Sequence, residues 1–166
     1  MRITEKTKYS KIAPFVDFLS EEEKAKIKTA AEEKFGKMYD LEFSQFWDCA
    51  HGRFEHLGDL KDPTVLQVFW ILRFQDFVKE FTEALNKLSL KLTSDEQAAS
   101  QGLLKVSFFE GVLVFTQQWF GLKSYKEAEK ITLGEILIAK RAQYNRDLFH
   151  RKLTNIQLNK AKNKRK

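Results

Sequence analysis

The chain has 166 residues, 43% hydrophobic and 31% charged, which is typical of a folded domain and excludes a disordered segment. A single cysteine, Cys49, excludes an internal disulfide framework and suits a reducing compartment. The net charge of +6 conceals an asymmetry, because the residues from Lys140 onward carry ten basic side chains and one acidic side chain. We therefore expect an anionic partner for the basic end.

Hydroxyl residues followed three positions later by glutamate predict a series of helix starts. In this spacing the hydroxyl and the carboxylate accept hydrogen bonds from backbone amides that a first helical turn leaves unpaired. Five such pairs begin at Ser20, Thr93, Ser107, Ser124 and Thr132. Asp62 and Pro63 predict a sixth start, with the aspartate as cap and the proline in the first turn.

In chain order the sequence predicts helices over residues 20–35, around Phe46, over about 63–89, near 94–104, over 107–120 and from 132 to about 159. Residues 53–62 are predicted to form a loop, and residues 124–130 a single turn. The helix over about 63–89 is the central one, because apolar side chains recur every three or four positions from Leu66 to Leu88.

No segment shows the alternating pattern or the turn residues of a β-hairpin. The predicted fold class is all-α, a compact helical bundle around the central helix with a long, projecting, basic C-terminal helix. We expect a helical body over residues 1–148 and a basic helical extension over residues 149–166. The predicted apolar face of the last helix comprises Leu133, Ile136, Leu137, Tyr144, Leu148, Leu153 and Ile156.

The N-terminal residues are charged and lack the uninterrupted apolar segment of a secretory signal. The most apolar stretch, residues 65–72, is far shorter than the roughly 18 to 20 residues of a membrane span. We therefore expect a cytoplasmic protein without a membrane partner.

Residue types that bind metals or act as nucleophiles cluster only in the segment DCAHGRFEHLGD. Cys49, His51 and His56, with Asp48 or Asp59 as a fourth ligand, offer atoms that zinc prefers, but their spacing matches no usual zinc motif. Cys49 and His51 are also two positions apart on a predicted helix, where side chains point in different directions. We therefore predict no enzyme, no catalytic residue, no metal and no cofactor.

The basic end has three roles open to it: a solvated helix end, a contact for an acidic or structural protein, or a contact for nucleic acid. In the last role Lys140, Arg141, Arg151 and Lys152 would contact phosphates, with Tyr144 and Phe149 stacking on bases. Binding to protein is favoured slightly over binding to nucleic acid. The basic partner-binding candidates are Arg151, Lys152, Lys160, Lys162, Lys164, Arg165 and Lys166.

Aromatic residues supply a second set of candidates, since the chain holds fifteen Phe and three Trp. A helix over 107–120 with aromatic side chains at adjacent positions cannot bury all of them on one side. The predicted apolar contacts for a partner are Phe108, Phe109, Trp119 and Phe120.

The stretch FFEGVLVFTQQWFGLKSYKEAEKITLGE joins an aromatic-ended helix that stops at Gly121, a capped turn and the start of the last helix. Together with the chain size and the Lys-rich end, it resembles the small helical morphogenesis proteins of tailed bacteriophages, tail-assembly chaperones included, over residues 107–160. The resemblance implies a non-enzymatic role in which a helical body binds another virion protein during assembly, in the host cytoplasm or in the virion.

We therefore expect a non-enzymatic helical protein that binds another protein during assembly of a larger complex, and a homo-oligomer is compatible with this role. The alternative is a small nucleic-acid-binding protein that uses its basic C-terminal helix.

Overall fold

The computed structural model describes Thr4, residues 6–101 and residues 107–163, and it is all-α over this part of the chain. No strand occurs among these residues, which contain two isolated β-bridges. The predicted fold class is confirmed, with long helices at the predicted central and C-terminal positions. The α-helices of the described part are α1 (Tyr9–Ile12), α2 (Glu21–Phe35), α3 (Phe43–Ala50), α4 (Val65–Lys87), α5 (Ser94–Ala99), α6 (Phe108–Phe120), α7 (Tyr125–Ala128) and α8 (Leu133–Asn163).

The chain folds as two compact units that share α4 and α8. The first unit comprises the chain up to Phe81 together with Glu129–Leu133, and the second comprises Thr82–Ala128 and the chain from Gly134 onward. The second unit therefore contains α5, α6, α7 and nearly all of α8. The predicted division into residues 1–148 and 149–166 stays a prediction.

Local hydrogen bonds at the helix ends explain most of the helix boundaries. At the starts of α2, α5 and α6, Ser20, Thr93 and Ser107 each form the predicted capping box with the glutamate three residues later. Gly36 and Gly121 follow the last residues of α2 and α6 with φ of 98° and 64°. Glycine is favoured at both positions because a side chain is strained at such positive φ values.

The start of α4 differs from the prediction. Asp62 and Pro63 do not cap this helix, which begins at Val65. Thr64 is the cap, because its N–H donates to Gln67 Oε1 at 2.7 Å and the Gln67 N–H donates to Thr64 Oγ1 at 3.4 Å. A threonine–glutamine capping box therefore places the helix start two residues later than predicted.

The aromatic row of α4 forms the core of the first unit. Trp70 and Phe74 stack with ring centroids 5.7 Å apart, and Phe77 and Phe81 stack at 5.6 Å. Phe46 from α3 lies 5.5–6.4 Å from the rings of Phe74, Phe77 and Phe81. All five side chains are buried, so many of the aromatic residues of this chain serve packing.

Gln67 connects this core to the predicted loop over residues 53–62. Its side chain is buried, and its Nε2 donates to the carbonyl oxygens of Leu57 at 2.7 Å and Asp59 at 3.3 Å. Because its Oε1 also accepts the Thr64 N–H, both polar atoms of the amide have partners. Loss of this amide would leave buried backbone groups unsatisfied.

We expect Gln67→Ala to lower the free energy of unfolding by about 2 kcal/mol, because buried hydrogen-bonding groups lose their partners. Gln75→Ala, the same substitution at an exposed position of α4, should change it by less than about 0.5 kcal/mol. Urea unfolding followed by circular dichroism measures both values. Equal effects of the two substitutions would show that the Gln67 amide does not hold the loop.

Candidate functional site

The Cys–His segment does not form a chelating cluster in the described residues. The buried Cys49 Sγ lies 3.9 Å from His56 Nδ1, whereas His51 Nδ1 lies 2.8 Å from the carbonyl oxygen of Trp47. Across the described ranges, no group of three His, Cys, Asp or Glu side chains is arranged to hold a metal ion. Cys49 and His56 therefore approach each other while His51 is engaged elsewhere.

The surroundings of Cys49 disfavour a thiolate. Burial, with a smaller contribution from the Asp48 carboxylate, raises the pKa of the Cys49 thiol to about 12. Burial also lowers the pKa of His56, which favours its neutral imidazole. A neutral thiol next to a neutral imidazole lacks the charged sulfur that nucleophilic catalysis requires.

Arg151 is paired within the second unit. Its Nη2 lies 3.1 Å from both carboxylate oxygens of Glu96, and its Nη1 donates to the Lys91 carbonyl oxygen at 2.8 Å. Hydrogen bonds from Thr93, and to a lesser extent the Arg151 charge, hold the pKa of Glu96 below its usual value. Arg151 therefore connects α8 to α5 and to the segment before it through hydrogen bonds.

Lys140 lies on the same face of α8 as Arg151. Its Nζ is 3.6 Å from the centroid of the Phe115 ring, and burial lowers the pKa of Lys140, an effect that the Asp147 carboxylate opposes. Lys140 and Arg151 both line an open cleft of about 640 Å³ between α8 and the segment before α5. Both cations are thus engaged by side chains or backbone of their own unit.

The remaining basic candidates lie at the exposed end of α8. All residues from 152 to 163 are exposed. Lys152, Lys160 and Lys162 form no ion pair with any residue in the described part of the chain. The predicted contacts that fall outside the described residues are Lys164, Arg165 and Lys166.

The side of α8 opposite Lys140 and Arg151 carries a second apolar row. We call this row the outer stripe; its members are Ile138, Ala142, Asn145, Phe149, Leu153 and Ile156. Their separations of 4, 3, 4, 4 and 3 positions place them on one helix face. All six are exposed, Ile138 to 67%, Phe149 to 62% and Ile156 to 52%.

The outer stripe corrects the predicted apolar face of the last helix. Ile136 and Leu137 are buried and Leu148 is half-buried, and these residues form the inner face together with Tyr144. Leu153 and Ile156 were expected on that face, but both are exposed on the opposite one. The prediction combined two faces of one helix because apolar residues recur with helical spacing on both.

Cations border the outer stripe. Arg141 and Lys152 flank one side and Arg146 the other, each three or four positions from a stripe residue. Of the two acidic residues of α8, Glu135 lies three positions before Ile138 and lines the groove beside it, and Asp147 lines the inner cleft with its Oδ1 3.7 Å from Arg146 Nε. The border is therefore basic on the side of Arg141 and Lys152, whereas the other side carries Glu135 as well as Arg146.

An apolar groove of about 180 Å³ adjoins the N-terminal end of the outer stripe. The half-buried Trp119 contributes one wall, with the Arg146 guanidinium 5.1 Å from its ring centroid, and Phe120 is 37% exposed. Phe108 and Phe109 lie at the other end of α6, with ring centroids 5.5 Å apart. The groove is lined by Trp119, Phe120, Glu135, Ile138, Ala139 and Ala142.

Comparisons of this chain with protein-family models, with known proteins and with solved structures give no match. Within the described ranges, no helix has both the length and the apolar character needed to cross a membrane.

We expect the Cys49 thiol to react slowly with iodoacetamide at about pH 8, because its raised pKa leaves little thiolate and its side chain is buried. Unfolding in urea should accelerate the reaction roughly tenfold or more, since the thiol regains an ordinary pKa. Mass spectrometry of timed samples measures both rates, and the chain has no other cysteine to confuse the result. Equal rates in the two states would contradict the neutral, buried thiol.

We expect Ile156→Ser to change the free energy of unfolding by less than about 0.5 kcal/mol, because Ile156 is exposed. Ile136→Ser, the same substitution on the inner face of α8, should cost about 3 kcal/mol, because it removes buried apolar atoms and buries a hydroxyl. Thermal and urea unfolding of the two variants measure the difference. Similar losses would place Ile156 in the core and remove the outer stripe.

Proposed function

We propose that this chain is a non-enzymatic protein-binding protein that acts in the assembly of a larger complex and docks through the outer stripe and the adjoining groove. The observation that supports the proposal is the exposure of a helical row of five apolar residues and Asn145, bordered by cations on one side, on the helix Leu133–Asn163. Single exposed apolar residues are ordinary on protein surfaces, whereas a row of several apolar residues next to an apolar groove is typical of an interaction surface.

The residue types in this surface suit a protein interface. Phe149 and Trp119 offer the large rings that contribute most to binding energy when a partner buries them, and Arg146 lies three positions from Phe149 and 5.1 Å from the Trp119 ring centroid. Anchors separated by three and four positions are the pattern through which helices contact a partner. The groove next to Ile138 adds a concave site for an anchor from the other protein.

We propose more specifically that the complex is a bacteriophage virion or tail assembly. Its support is the sequence resemblance over residues 107–160, which include α6, α7 and nearly all of α8. In this role the outer stripe would contact another virion protein in the host cytoplasm during assembly.

Nucleic acid is the alternative partner for this helix, and the basic border favours it. However, Lys140 is engaged with Phe115 and Arg151 with Glu96, so two of the cations expected along a phosphate backbone are already used. The apolar members of the outer stripe would also lack a partner on a phosphate surface. A protein therefore satisfies more of this surface than a duplex does.

We expect the combined substitution Phe149→Ser and Ile156→Ser to abolish capture of the partner from an extract of the native cells, because the apolar anchors of the interface are lost. Phe18→Ser is the matched control, since Phe18 is 84% exposed but lies outside the outer stripe. Quantitative mass spectrometry of affinity-purified wild-type and variant chains measures the difference, and the captured protein is then purified and titrated directly.

If the proposal is correct, at least one protein is captured by the wild-type chain and by the Phe18→Ser variant but not by the double variant. Partners retained equally by all three chains would contradict docking through the outer stripe. Retention of nucleic acid alone, lost after nuclease treatment, would favour the alternative role.

A further inference from the structure

We propose that the outer stripe receives an acidic amphipathic helix of the partner protein, about 18 to 20 residues long. The inference rests on the proposed function, because it names the chemistry of the partner that the same surface would bind.

The outer stripe has the geometry of one half of a helix–helix interface. From Ile138 to Ile156 it extends over about 27 Å, which about five helical turns of a partner would cover. Its members are separated by about 3.6 positions on average, the period of a straight helix, so a second helix can follow it over its full length. A shorter or globular contact would leave part of the stripe in water.

The charged side chains beside the outer stripe indicate which charge the partner helix should carry. Arg141 and Lys152 flank one side of the apolar row, and Lys160 continues its line by one turn. Arg146, on the other side, already lies 3.7 Å from Asp147 Oδ1 and over the Trp119 ring. A partner helix with Asp or Glu beside its own apolar row would pair with Arg141, Lys152 and Lys160. A second copy of this chain would instead place the same cations against one another, which disfavours self-association through this face.

Two further features fix the position of the partner helix. The groove between Trp119, Phe120 and Ile138 has room for one large apolar side chain of the partner. Asn145 is the polar member of the outer stripe, and a single polar residue within an apolar helix interface specifies register. Ala142, next to the groove, is small enough to allow close approach of the partner backbone.

An anionic membrane surface would satisfy this face only in part. Its headgroups would pair with the cations of the border, as they do with basic amphipathic helices. The Asn145 side chain, however, would lie at the acyl boundary without a matched partner, and the concave groove would gain no complementary anchor. A folded helix would supply a hydrogen-bonding partner for Asn145 and an apolar side chain for the groove.

The test uses a fluorescein-labelled peptide of about 20 residues, with leucines at the separations of the outer stripe and glutamates on both sides of them. Fluorescence anisotropy with the full chain at about 0.1 M salt measures its Kd. We expect the combined substitution Arg141→Glu and Lys152→Glu to weaken binding roughly tenfold or more, and Phe149→Ser with Ile156→Ser to do the same. Phe18→Ser should leave the Kd unchanged, and a matched peptide with lysine in place of glutamate should not bind.

The inference is overturned if the glutamate peptide binds no more tightly than the lysine peptide, or if the stripe substitutions leave its Kd unchanged. Tighter binding to phosphatidylserine–phosphatidylcholine vesicles or to a DNA duplex, weakened by the same substitutions, would replace it with a lipid or nucleic-acid partner. Capture of a protein partner that depends on Phe149 and Ile156, combined with failure of the glutamate peptide, would leave the proposed function standing without the acidic helix. Failure of both experiments would remove both proposals.

Discussion

Helix α8 carries apolar side chains on two opposite faces, and the fold buries only one of them. Ile136 and Leu137 are buried on the inner face, and Arg151 fixes the same face through Glu96 and the Lys91 carbonyl oxygen. Because side-chain directions along a helix are set by its geometry, fixing the inner face determines where the outer stripe points. The hydrogen bonds of Arg151 therefore help to orient the candidate interface, although Arg151 itself lies on the other side of the helix.

Local signals in the sequence were sufficient to predict most of the helical framework. The capping boxes at Ser20, Thr93 and Ser107 depend on residues three positions apart, so no tertiary contact is needed to recognise them. The same rule applied to Thr64 and Gln67 would have given the start of α4, where the Asp-Pro pair misled the prediction. Helix α1 carries no side-chain cap and has only four residues, too few for apolar periodicity.

The candidate site was less predictable, because burial is a property of the fold and not of one helix. Spacing alone shows that Leu148 and Ile156 both belong to apolar rows, but it does not show which row is covered. Trp119 and Phe120 were predicted from their adjacent positions in a helix, yet their contact with the groove beside Ile138 depends on how α6 and α8 pack. The environment of Cys49 likewise follows from packing, since burial decides the state of its thiol.

Docking through the outer stripe requires that this row is open to solvent in the free chain and is covered by a protein in the complex. Hydroxyl-radical footprinting with mass spectrometry tests it directly by reporting the oxidation of Phe149 and Ile156 in both states, with the buried Phe46 as an internal reference. We expect rapid oxidation of Phe149 and Ile156 in the free chain and strong protection in the complex. Protection already present in the free chain, or oxidation unchanged in the complex, would contradict it.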